Sequence, residues 1–356
     1  MNQNSPTTIT HTTILHYDGI DILKTIAIFC IIAGHFFIIH TPFKEEPFDN
    51  LSMFIQGCFM NFFLIGVPLF VTITGFLNSN KSISKRYYFK IFKVLIPYVL
   101  LSTITLLFRV YYQHEDITFL NAIEMIFAFS AIPYAWYIEM WIGLYLLSPF
   151  LNILYHGLGK KTHKILLIIL LSALTALPNG LNIHEHHIVP SFWESIWPLT
   201  CYFIGCYIKE FQPAVNKKWL ILSCLLLCTI VPIFNILTYP HHDYMFLGGT
   251  QMLHWMIMVS IFLLFYKVHI DNVLLKNVIS TISHLSLYMY LTSFIFDSLY
   301  YPYFIQNFYC TQSQFGICFF AIIPVVFISS FFFSWIIKKL LSMAKIQNIW
   351  EYRTNK

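Results

Sequence analysis

Charge is the scarcest property of this 356-residue chain: Asp, Glu, Lys and Arg make up 10% of it, where a soluble domain carries about a quarter. Hydrophobic residues reach 58%, aromatics 19% with 36 Phe, and mean hydropathy is +0.67. That balance excludes an ordinary soluble domain and nucleic-acid binding, and points to a polytopic, all-α membrane protein. Thiol chemistry is equally thin. Eight cysteines are present, but none form Cys-x-x-Cys, and no zinc spacing or disulfide framework appears. Most lie in apolar runs and read as small apolar residues. The histidine-rich stretches His184-Glu185-His186-His187 and His241-His242-Asp243 lack the spacing of a rigid metal site, so solvated loops are expected there and no metal. Residues 1–17 are polar, without a basic n-region or cleavage site, so the first apolar helix should be retained behind that tail. No linker, repeat or low-complexity segment divides the chain, so one domain is expected over 1–356, closing in a tail over 338–356.

What is present is a series of apolar runs, near 20–40, 52–77, 91–110, 136–155, 164–178, 195–208, 219–237, 246–266, 279–299 and 316–337. Read as about ten transmembrane helices, they put both termini on one side. The fifth and sixth are short, with Pro178 and Pro198 as interruptions, and 117–131 reads as a re-entrant or interfacial helix carrying Glu124. Lysine and arginine orient the bundle. Lys81, Lys85, Arg86, Lys90 and Lys93 follow the second run, Lys160, Lys161 and Lys164 the fourth, and Lys209, Lys217 and Lys218 the sixth. Lys267 and Lys276 follow the eighth, and Lys338, Lys339, Lys345, Arg353 and Lys356 close the chain. All of these fall on one side of a ten-helix count; the other receives Lys44 and Arg109. The basic side, with both termini, is therefore expected in the cytoplasm of a cell-membrane protein. The net charge of +5 is spent on topology.

The stretch from Tyr17 to His35 opens with Asp18, Asp21 and Lys24, continues through ten uncharged residues and reaches His35 in an apolar setting. On a helix the eleven steps from Lys24 to His35 make roughly three turns plus ~20°, which puts both on one stripe ~16 Å apart. Asp21 lies three positions before Lys24, at pairing distance. Ionisable groups in a membrane helix are costly without a use. An imidazole can take a proton from an attacking hydroxyl; its bland alternative is a helix-packing histidine. For Lys24 the bland alternative is snorkelling toward headgroups.

Asp21-Ile22-Leu23-Lys24, ten residues and His35, then Pro68-Leu69-Phe70 with Thr74-Gly75-Phe76, then a basic stretch leading to Pro97-Tyr98, resemble the membrane-bound acyltransferase-3 family. Trp136-Tyr137-Ile138 followed by Tyr145-Leu146 and Pro149 adds to the likeness, as does the late segment 282–293. The resemblance implies an integral-membrane O-acyltransferase with His35 as its catalytic base. Lys24, with Asp21, would hold the catalytic helix or the phosphates of acyl-coenzyme A, and the cluster Arg86, Lys90 and Lys93 would contact those phosphates. The donor, most often acetyl-coenzyme A, would arrive from the cytoplasm as substrate rather than as a bound cofactor. Lysine holds phosphate as a point charge, not a bidentate fork. The other reading of that cluster is positive-inside charge on anionic lipid. Implied acceptors are hydroxyls of a cell-surface glycan or lipid-linked sugar. Two departures stand out. Trp141 occupies a position where relatives often carry glutamate, leaving Glu139 as the nearest candidate carboxylate, and Ser293 stands where many carry histidine. Arg109, the lone arginine of its side, is a candidate for steadying an oxyanion or an anionic acceptor; its bland alternative is snorkelling. Gly75 reads as a close-packing residue. The rival reading is a transporter, flippase or export subunit for a polysaccharide or lipid-linked sugar, which intramembrane charge also fits. Oligomeric state is not legible.

Overall fold

In the computed structural model the uncharged run after Lys24 is a single helix, α1 (Asp18–His35), continued by a π-helical turn, Phe36–His40. The structure describes residues 18–41, 43, 46, 49–182, 188–238, 251–308, 311–315 and 318–343; the histidine-rich stretches 184–187 and 241–243 lie outside them. Leu23, Ala27, Ile28, Cys30, Ile32 and Ala33 are fully or almost fully buried on every side of α1. A helix apolar all round belongs in the middle of a bundle, and α1 is that centre.

Asn50 caps α2 (Leu51–Phe63), its side chain accepting from the Met53 N–H. The run from 52 to 77 breaks at Leu64-Ile65 and resumes as α3 (Gly66–Asn78). Pro68 explains the break: it has no N–H for the Leu64 carbonyl, and its ring would clash there. Gly66 sits beside the break, where a Cβ would lie 2.7 Å from Ile31 Cγ1 and 2.9 Å from the Ala27 oxygen, so the kink presses onto α1. Ser84 caps α4 (Lys85–Phe89), which leads to α5 (Phe92–Tyr111); Thr118 caps α6 (Phe119–Phe127). Then follow α7 (Trp136–Gly157), α8 (Lys161–Leu181), α9 (Trp197–Phe211), α10 (Lys217–Thr238), α11 (Gln251–Phe265), α12 (Val273–Phe308), α13 (Gln312–Phe315) and α14 (Phe319–Met343).

The protein is an all-α polytopic membrane protein, and each of the ten apolar runs contains a helix. Among the described residues, eight helical segments are long and apolar enough to cross a bilayer. The other two runs form α9 and α11, fifteen residues each, about 22 Å against a core of ~30 Å. The fifth run is not short: α8 covers 21 residues, with Pro178 inside its last turn. Pro198 opens α9 rather than interrupting it, since a proline in the first turn loses no hydrogen bond. The nine-residue α6 has no buried residue and is too short to span; it suits an interfacial position. Exposed leucines and isoleucines run along α8 and α10, and exposed Phe320, Phe332 and Trp335 along α14. Such continuous apolar exposure is the surface that lipid covers.

α3 and α9 cross closely. A Cβ on Gly75 would lie 2.1 Å from the Tyr202 carbonyl oxygen, and one on Gly205 2.1 Å from that of Thr72. Gly75 therefore has the packing role read from sequence.

Candidate active site

α1 packs along α12, and two contacts fix their register. The Ser283 hydroxyl donates to Asp21 Oδ1 at 2.6 Å, and His35 Nδ1 lies 3.7 Å from Asp297 Oδ2. Both rungs are fourteen residues apart on each helix, about 21 Å of rise, so the two helices run parallel and in step.

Asp297 is the unforeseen member. Its side chain has no solvent exposure, and Oδ2 also accepts from the Tyr134 hydroxyl at 2.8 Å and faces His40 Nε2 at 3.4 Å. His40 Nε2 and the Tyr134 oxygen are 2.6 Å apart. The π turn accounts for the pair of histidines. Five α-helical residues would set them ~140° apart, whereas i→i+5 winding brings residues five apart onto one face. His35 lies against the Tyr134 ring, centroids 3.8 Å apart, and His40 stacks on Tyr301 at 4.5 Å and 15°. Tyr134 stands in the turn before α7, and its carbonyl accepts from the Tyr290 hydroxyl. Burial, then the Asp297 charge, pushes the Tyr134 phenol well above its ordinary range, so it remains a donor.

The carboxylate beside His35 is Asp297, and Glu139 stands elsewhere. Tyr137 and Ile138 turn inward at the start of α7, and Glu139 is carried to the exposed face. An acid in a helix's first turn is favourable there without any catalytic part. Nor does Arg109 point a free guanidinium at His35. It grips Glu115 through Nε and Nη2, at 2.7–3.1 Å, and donates from Nη1 to the Ser130 and Ala131 carbonyls at 3.2 Å. Its visible work is to hold the segment that leads into Tyr134.

At the other end of α1, Lys24 is half-buried and within electrostatic reach of Asp21. Asp18, also buried, is held by Lys276 at 2.9 Å, His269 at 2.6 Å and the Ile270 N–H at 3.2 Å. These contacts tie the start of α1 to the loop before α12 and to the first turn of α12 itself. Lys85, Arg86, Lys90 and Lys93 are exposed, and the charges of Lys81, Arg86 and Lys93 act on Lys90. A tyrosine clasp positions this basic segment: Tyr87 donates to the Tyr145 carbonyl at 2.8 Å, Tyr145 to the Tyr87 carbonyl at 2.7 Å, and the rings stack at 4.4 Å. Asn152 adds bonds to the Asn78 and Lys81 carbonyls, at 2.7 and 2.8 Å.

The profile of the family described as "Acyltransferase domain" matches residues 17–339. The chain belongs to this acyltransferase family. Its match spans both rungs of the α1–α12 pair and the basic segment between them in sequence. The chain is also similar to "Putative acetyltransferase ORF330" of Acidianus two-tailed virus, with 24% identity over 223 residues, 56% of this chain. The matched region is 63% of the viral protein's length. No solved structure matches.

For an acyltransferase, the arrangement offers a definite chemistry. A carboxylate 3.7 Å from Nδ1 can compensate an imidazolium formed when a histidine takes a hydroxyl proton through Nε2. Asp297 had a sequence signal, being the sole acid of the run 279–299. Tyr134 and His40 had weaker ones, since neither a tyrosine beside a helix start nor a histidine closing an apolar run is unusual.

Proposed function

We propose that this acyltransferase moves an acyl group, in the simplest case acetyl, from cytoplasmic acyl-coenzyme A to a hydroxyl of a cell-surface glycan or lipid-linked sugar. The observation that carries the reading is the fully buried Asp297 set behind His35. In this scheme His35 Nε2 takes the hydroxyl proton while the oxygen attacks the thioester carbonyl. The tetrahedral adduct collapses, the carbon–sulfur bond breaks, and the departing thiolate receives the proton from His35. Asp297 stays ionised throughout. The exposed Arg86, Lys90 and Lys93 form the entry for the donor's phosphates on the side that the lysine asymmetry makes cytoplasmic. Lys24, ~16 Å along α1 from His35, supplies a positive charge beside the thioester arm that must cover that distance.

The test uses membranes containing the full chain, supplied with radiolabelled acetyl-coenzyme A. Label is expected in extracted glycan or glycolipid, and not with His35→Gln. Equal labelling by the variant, or none above empty membranes with wild type, rejects the reading.

A further inference from the structure

His40 is not used by the chemistry above, yet it shares a carboxylate with the base. Three groups converge on one oxygen: Tyr134 at 2.8 Å, His40 at 3.4 Å and His35 at 3.7 Å from Asp297 Oδ2. The nearer contacts belong to the His40 side, and His35 Nδ1 and Asp297 Oδ1 are buried without a hydrogen-bond partner. One negative charge fully balances one imidazolium, not two. We propose that His40 is a positioning residue: by its protonation it draws Asp297 onto the His40–Tyr134 side, and by losing its proton it frees the carboxylate to hold His35 Nδ1–H.

The surroundings suit that role. The titratable groups that face His40 are His35 of its own helix, Tyr134 from the turn before α7, and Asp297 and Tyr301 from α12. Tyr301 holds the His40 ring flat, one helical turn beyond Asp297, so the imidazole is fixed in plane while its charge changes. Tyr134 bridges the two states, since its hydroxyl oxygen accepts from His40 Nε2–H while its proton goes to Asp297. The π turn is what makes the competition possible, because an α-helical continuation would turn His40 off this face. No group here changes oxidation state and no covalent bond is made; only protons and hydrogen bonds shift.

The proposal rests on the His35 reading for its catalytic meaning, but the coupling can be measured without turnover. The full chain, labelled with 15N-histidine and placed in lipid nanodiscs, is titrated by NMR from about pH 5 to pH 9, a window that spans ordinary histidine titration. The protein has fifteen histidines, so the His35 and His40 signals are assigned by their loss in H35Q and H40Q. In wild type the His35 Nδ1 shift should move in two steps, one coincident with His40 titration. H40Q should reduce it to one step, and D297N should leave two independent single-step curves, which provides the answer even where H40Q does not fold. A single, identical His35 curve in wild type and D297N overturns the proposal while leaving the base assignment to the labelling experiment.

Discussion

Asp297 is completely buried and its Oδ2 faces two imidazoles and a phenol, so the kind of replacement should matter as much as its position. His35→Gln removes the proposed base and should cut acyl transfer by about 10²- to 10⁴-fold, with thermal unfolding near wild type. Asp297→Asn should also lose transfer, whereas Asp297→Ala should in addition lower stability by ~1–3 kcal/mol, the scale of leaving the buried Tyr134 hydroxyl without its acceptor. Wild-type transfer should fall as pH is lowered, because a protonated imidazole has no lone pair for the hydroxyl proton. A rate that rose toward low pH would remove His35 from the role of base. The shared helix of Lys24 and His35 was legible because their spacing is local. Asp297 was equally visible as a lone acid in an apolar run, but nothing local ties residue 297 to residue 35; only the parallel packing of α1 and α12 does. Glu139 drew attention as an acid two residues from the expected position, and a shift of two on a helix is a change of face by ~200°.

At the scale of elements, α4 and the crossing of α3 with α9 make separate predictions. The exposed cluster near Lys90 should matter to donor binding. Lys90→Ala with Lys93→Ala should raise the apparent KM for acyl-coenzyme A several-fold with little change in kcat, and added salt should narrow the difference from wild type through screening. An unchanged KM would assign these lysines to lipid or topology. Gly75→Val places side-chain atoms where the Tyr202 carbonyl lies, since the Cβ alone would come within 2.1 Å. Overpacking of this kind costs about 1–3 kcal/mol, to be seen as a lowered Tm in detergent, while Gly143→Ala, with nothing within 4 Å of its added Cβ inside α7, should not lower it. Helix existence was readable throughout because apolar runs of this length leave few alternatives in lipid. The break at Leu64-Ile65 was readable in principle from Pro68. The π turn was not, because α and π winding differ by one residue per hydrogen bond and the apolar run Phe36–Ile39 accommodates both.

Across the whole molecule, tags at Asn80, Gly159 and the C-terminus should report from the cytoplasm and tags near Asn179 and Asp243 from outside, by the lysine asymmetry. A cytoplasmic signal near Asn179 would reverse the side on which His35 works. The larger architecture also constrains how this protein can change. Ser283–Asp21 and Asp297–His35 are two rungs at equal spacing on parallel helices. One alanine inserted after Met289 would keep the first rung and rotate Asp297 by ~100° about α12, separating base from acid without touching either. Four residues inserted in α12 alone would bring Asp297 back to within ~40° of its angle but slide it ~6 Å past its partner. Matched insertions of four, one between the rungs of each helix, should recover the contact that either alone destroys, readable as restored transfer or a restored His35 titration. The lengths of α1 and α12 are therefore not independent quantities: lineages that thicken or thin this bundle can do so only by editing two segments, more than 250 residues apart in sequence, by the same amount.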